Sequence, residues 1–125
     1  MTYTTDKDFE LFKRECNKHI NLFGLSDWNY VFYHSDLSNI EDLEDANAVN
    51  TTYYKAKTAV LRLNMTFNEL DKTKKQMIID IAKHEVLHIL LSNLSTMAFS
   101  RSIDAEIYNS EEHAVINRLQ KAFEK

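Results

Sequence analysis

The 125-residue chain contains no proline, a single glycine (Gly24) and a single cysteine (Cys16). Without proline and glycine as punctuation, element boundaries have to be read from hydrophobic period and from capping residues. A lone cysteine excludes an intramolecular disulfide. Its place among apolar residues at helical spacing implies a buried thiol in a reducing compartment, which points to the cytoplasm. Residues Met1 to Asp8 have neither the basic start nor the apolar run of a secretory signal. The most apolar stretch, Val86 to Leu91, is far too short to cross a bilayer, so no membrane partner is expected. An excess of positive charge is missing as well. The formal net charge is −4, a sign that disfavours phosphate-rich partners such as nucleic acid.

What is present suits a packed domain: 44% hydrophobic residues, 11% aromatic and 27% charged, in a length that fits one core. A single domain over residues 1–125 is therefore expected. Thr5 with Asp8 three positions on forms a capping pattern. Phe9, Phe12, Cys16, His19/Ile20 and Phe23 then recur at helical spacing up to Gly24, which predicts a helix over about 6–23. In Trp28 to His34, Trp28, Tyr30 and Phe32 alternate with Asn29, Val31 and Tyr33, as a strand requires. Ser35 to Asp45 is acidic and reads as a solvated loop. Ala46–Tyr54 and Thr58–Asn64, rich in β-formers and separated by Lys55-Ala56-Lys57, read as a hairpin. A second helix is expected over about 73–94, then a loop to about 109 and a last helix to about Phe123. The order predicts an α+β fold with a small, mostly antiparallel three-stranded sheet packed on the second helix.

That second helix carries His84-Glu85-Val86-Leu87-His88. Residues four apart on a helix lie one above the other, so the two imidazoles project together and can each reach one zinc ion. Glu85, one step round the helix, is placed to take a proton from a water on such an ion. With 5 His in the chain, the pattern arises by chance at roughly one or two per cent. The apolar neighbours Val86, Leu87, Ile89, Leu90 and Leu91 leave no plainly solvated side for a decorative histidine pair.

Catalytic zinc takes three protein ligands and keeps one position open. The last helix offers Glu111 and Glu112. Glu112 is four before Ile116 and seven before Leu119, on a stripe expected to face the core, where a carboxylate needs a partner. Glu112 is the preferred third ligand, ahead of Glu111, Asp104, Glu106 and His113; Glu111 is expected to face water and to complement the helix dipole. Asp80, four before His84, is within helical reach as an orienting partner but reads more readily as a solvated surface residue. Tyr108 and His113 are weaker candidates for stabilising an oxyanion. His19 and His34 read as ordinary packing residues.

His84-Glu85-Val86-Leu87-His88-Ile89-Leu90-Leu91, followed by Glu111-Glu112-x-x-Val115-Ile116-x-x-Leu119, resembles the small gluzincin-type metallopeptidase-like proteins of phages and prophages. These are distant cousins of the SprT-like and ImmA-like families. The resemblance covers the last forty or so residues and implies a minimal zincin fold, a His-His-Glu zinc site, a glutamate base and a phage or bacterial host. Two departures stand out: no glycine follows His88 closely, and no aspartate lies four residues after Glu112. The expected function is zinc-dependent peptide-bond hydrolysis, with Zn2+ as cofactor and a peptide or protein as substrate. An extended peptide is expected to add to an edge strand, taken to be Thr58–Asn64. The rival expectation is a catalytically silent zincin-fold module that binds a partner protein such as a phage repressor.

Overall fold

The computed structural model describes residues 2–43, 45–98 and 105–123. The elements run β1 (Thr2–Tyr3), α1 (Asp6–Leu22), β2 (Asn29–Ser35), β3 (Ala48–Tyr53), β4 (Thr58–Asn64), β5 (Thr66–Phe67), α2 (Lys74–Ala98) and α3 (Ala105–Phe123). The α+β class and all three helices agree with expectation, although α3 begins earlier than the sequence suggested.

Local chemistry accounts for the first helix. The Thr5 hydroxyl accepts from the Asp8 amide at 3.2 Å while Asp8 Oδ2 accepts from the Thr5 amide at 2.8 Å, so two of the free N–H groups of the helix start are satisfied reciprocally. Gly24, at φ +69°, takes the left-handed conformation that ends the helix. The Leu25 amide then reaches back to the Ile20 carbonyl at 2.9 Å.

The sheet departs from expectation in its pairing. Its order is β2-β4-β3. β3 and β4 form the expected antiparallel hairpin, but β2 lies parallel to β4, so the sheet is mixed rather than mostly antiparallel. The chain leaves β2, crosses to the far edge to make β3, and returns through the middle as β4. The acidic side chains Asp36, Glu41, Asp42 and Asp45 after β2 are exposed, as expected, while Leu37 anchors the segment in this crossing. Leu37 is fully buried, and its amide donates to Asn64 Oδ1 at 3.2 Å. Asn64 also accepts from the Thr66 amide and donates to the Ala46 carbonyl at 2.9 Å. One buried amide thus holds the ends of three segments together.

The inner face of the sheet contributes Ala59, Leu61 and Leu63 to a core shared with Phe12, Cys16 and Ile20 of α1, Ile78, Ala82, Val86 and Ile89 of α2, and Val115 of α3. Helices α1 and α2 run side by side in the same direction: Asp8 pairs with Lys74 at 2.8 Å, and eight residues further along each helix the Cys16 thiol meets the Ala82 carbonyl at 4.0 Å. α1 runs opposite to β2, since Phe9 stacks on His34 and Phe12 meets Phe32 edge-on. β3 therefore runs in the same direction as α2, the helix it lies against.

Candidate metal and catalytic site

The motif folds as its spacing requires. On α2, Ile78, Ala82, Glu85, Val86 and Ile89 face the core, while His84, His88 and Leu91 form an exposed stripe. His84 Nε2 and His88 Nε2 come within 3.1 Å of each other, with the ring planes at 80°. Two nitrogens each about 2.0–2.1 Å from one tetrahedral ion lie about 3.3 Å apart, so the pair is already close to the spacing that a shared zinc needs. Without an ion, the same approach is satisfied by an N–H of one ring donating to the bare nitrogen of the other.

Glu85 is turned about 100° from this stripe and is 8% exposed. No described residue donates a hydrogen bond to its carboxylate or forms an ion pair with it. Burial pushes its carboxyl up to about 7, because a carboxylate without a partner is poorly stabilised away from water. Cys16 lies within electrostatic reach across the α1–α2 contact. Its own thiol is pushed far above the ordinary range, first by burial and then by the charges of Glu85 and Glu15, so it is an inert core thiol.

The third-ligand expectation rested on α3 being rotated with Glu112 toward the core, and here the structure differs. Among the described side chains of α3, Val115 is the buried one, at 6% exposed, while Ile116 is 41% exposed. Glu111, four before Val115, is half-buried, and Glu112 is exposed. The packed stripe is thus Glu111-Val115-Arg118-Ala122, about 100° from the expected one. Val115, Leu119 and Ala122 are the α3 side chains packed on the core, and Arg118 approaches Gly24 at the end of α1. Among the described residues, no group of three His, Cys, Asp or Glu side chains is assembled around the histidine pair. Asp104 and the side chain of Tyr108 lie outside the described residues.

Asp80 does not orient His84. Its Oδ2 accepts from Lys72 Nζ at 2.6 Å and its Oδ1 from Gln76 at 3.0 Å, and the Lys72 bond holds its carboxyl below the usual range. On α3 the exposed His113 donates from Nδ1 to the Asn109 carbonyl at 2.7 Å. His34 is a packing residue, as expected: Thr4 Oγ1 donates to the Asn64 carbonyl at 2.8 Å, so its contact with His34 Nε2 at 2.7 Å requires the imidazole to donate.

The strand beside the site is also not the expected one. β4 is the central strand with both edges paired, so Thr58–Asn64 cannot accept a peptide by strand addition. β2 and β3 each have a free edge, and β3 is the one that lies against α2. The Asn64 amide donates to the Asn47 carbonyl at 2.9 Å, which makes Asn47↔Asn64 a hydrogen-bonded pair in the β3–β4 register. Alternation then turns Val49, Thr51 and Tyr53 toward β4 and leaves the backbone N–H and C=O of Ala48, Asn50 and Thr52 pointing outward. The hairpin was legible in the sequence; which of its strands lay at the edge depended on the distant partner β2.

Comparison with family models, with curated proteins and with solved structures returned no match. Among the described residues, no helix is long and apolar enough to cross a membrane.

Proposed function

We propose that the chain is a zinc-dependent peptidase of minimal zincin type, acting on extended peptides inside the cell. The observation that carries this reading is the convergence of His84 Nε2 and His88 Nε2 to 3.1 Å on the exposed stripe of α2. The two imidazoles from one helix suit zinc, and a carboxylate from α3, Glu112 or Glu111, would have to close on them as the third ligand. The resemblance to gluzincin-type proteins leads to the same donor set. When bound, the ion supplies Lewis-acid chemistry, making a water nucleophilic at neutral pH and polarising a carbonyl.

The remaining work falls to the chain. The one-turn spacing, on a helix whose other face is core, keeps the His84 and His88 rings side by side with their Nε2 atoms converging. Glu85 accepts the proton of the attacking water and delivers it to the leaving amine. A carboxylate that is buried, lacks a partner and has its carboxyl raised toward neutrality is suited to both halves of that transfer. The outward N–H and C=O groups of Ala48, Asn50 and Thr52 hold the peptide backbone in extended form and align the bond to be cut.

The test is Glu85→Gln, which keeps size and polarity but cannot accept the proton. Zinc content should survive while cleavage in a peptide library falls by roughly 10²- to 10⁴-fold. Retained cleavage with the metal in place would remove Glu85 from the mechanism. Absence of zinc-dependent cleavage by wild type, together with a protein partner that binds wild type and Glu85→Gln equally, would instead establish the silent binding module.

A further inference from the structure

One turn toward the start of α2 from the histidine stripe lies a cavity of about 150 Å³ lined by Asn47, Asp71, Lys72, Met77, Asp80 and Ile81. Met77, Asp80 and Ile81 lie within about 60° of the His84 direction on the helix, so cavity and histidine pair open on the same side. Asn47 immediately precedes the free-edged strand β3. Since β3 and α2 run in the same direction, the two elements leave the cavity together. At about 1.5 Å per helical residue and 3.3 Å per strand residue, the histidines come alongside β3 roughly two to three residues past Asn47, near Asn50. A peptide paired antiparallel to β3 runs the opposite way. Its residues C-terminal to the bond over the histidines therefore lie toward the cavity.

The lining states what the cavity takes. Met77 is buried and Ile81 half-buried, giving an apolar floor. Lys72 is committed to Asp80, whose two oxygens are both engaged. Asp71 makes no hydrogen bond or ion pair with any described residue and feels only the more distant charge of Lys72; with Lys72 and Asp80 it leaves the lining net negative by one charge. We infer that this cavity is a specificity pocket for a basic side chain, lysine or arginine, one or two residues C-terminal to the scissile bond. The aliphatic stem lies on Met77 and Ile81 and the cationic head meets Asp71 and the Asn47 amide.

This inference rests on the peptidase reading for its biological meaning, but its test does not need turnover. Blocked tetrapeptides differing at one position, lysine, norleucine or glutamate, are titrated into zinc-free protein and followed by amide chemical shifts. The lysine peptide should move Asn47, Asp71 and Ile81 and bind about two- to fivefold more tightly than the norleucine peptide, the range of an exposed charge pair. The glutamate peptide should bind more weakly than either. Asp71→Asn should abolish the lysine preference while leaving norleucine binding unchanged, and raised salt should shrink the preference in wild type only. Equal binding of the three peptides, no binding, shifts confined to other residues, or an unchanged preference in Asp71→Asn would overturn the pocket. A separate zinc titration keeps the two ideas apart: a protein that takes up no zinc but prefers lysine at Asp71 retains the pocket and loses the peptidase.

Discussion

Replacing Glu85 by glutamine should stabilise the metal-free protein, and only above a certain pH. In the folded chain the carboxyl is raised from 4.5 to about 7 by burial without a partner. The folded state therefore holds a proton that the unfolded state releases as pH rises from about 4.5 to 7, and wild type loses stability across that window. At about 1.4 kcal/mol per unit over the rise from 4.5 to about 7, the loss is about 3.5 kcal/mol once both states are ionised. Glutamine resembles the protonated acid in size, polarity and lack of a partner, so it carries the acid's burial cost but not the charge. Wild type and Glu85→Gln should be equally stable near pH 4 and separate to about 3.5 kcal/mol at pH 8, roughly 10 °C in melting temperature for a domain of this size. Chemical denaturation of both proteins in chelator at several pH values measures this difference, and groups that titrate identically in the two cancel. A gap that does not change between pH 4 and 8, or a glutamine variant less stable than wild type at pH 8, would refute the argument that Glu85 is buried without a partner.

Purified protein should carry about one zinc per chain by elemental analysis, and His84→Ala or His88→Ala should each lose it, because two remaining ligands hold zinc poorly. Glu111→Gln and Glu112→Gln, compared by zinc titration, identify the α3 ligand: the one that binds the metal should weaken uptake about tenfold or more, the other by less than twofold. Asn64→Ala should cost about 2–4 kcal/mol in denaturant unfolding, since it strands the buried Leu37 amide along with its other partners; a loss below 1 kcal/mol would show that water replaces the side chain.

What could be read from the sequence was what local physics decides. The capping pair Thr5 and Asp8, the alternation of Tyr30 and Phe32 against Val31 and Tyr33, and the one-turn spacing of His84 and His88 each act within a few residues, and each recurs in the structure. Strand order was not legible, because the parallel pairing of β2 with β4 joins residues some thirty apart and leaves no mark on either strand's alternation. The rotation of α3 was missed for a different reason. Val115, Ile116 and Leu119 allow two apolar stripes about 100° apart, and the choice between them is made by packing of Val115, Leu119 and Ala122 on a core built from distant elements. The cavity at Asp71 is not legible in the sequence because it forms only where Asn47, some twenty-four residues away, is brought beside the start of α2.

On the proposed peptidase reading Glu85 is kept without a hydrogen-bond partner for its chemistry, and two other buried polar atoms near it serve as a comparison. His19 Nδ1 and Glu15 Oε2 are buried without a hydrogen bond, the latter keeping only an ion pair with Lys18 at 3.9 Å. Neither points toward the histidine stripe: His19 stacks on Phe23 at 6.0 Å between ring centroids and feels the charges of Lys18, Glu15 and Lys83, on the flank of Cys16 away from Glu85. A polar orphan at a site is retained for its chemistry, whereas one elsewhere only costs stability. His19→Phe keeps the stacking and the volume while removing the orphan, so it should stabilise the fold by about 1–2 kcal/mol, within the cost of an unsatisfied buried group. It should also flatten the acid limb of the stability curve. Burial lowers the His19 pKa, so the unfolded chain takes up a proton first as pH falls below about 6.5, and wild type is weakened there in a way that phenylalanine cannot be. Zinc content and cleavage should be unchanged. A loss of zinc or activity in correctly folded His19→Phe would place His19 in the site, and the division drawn here between the two flanks of Cys16 would fail.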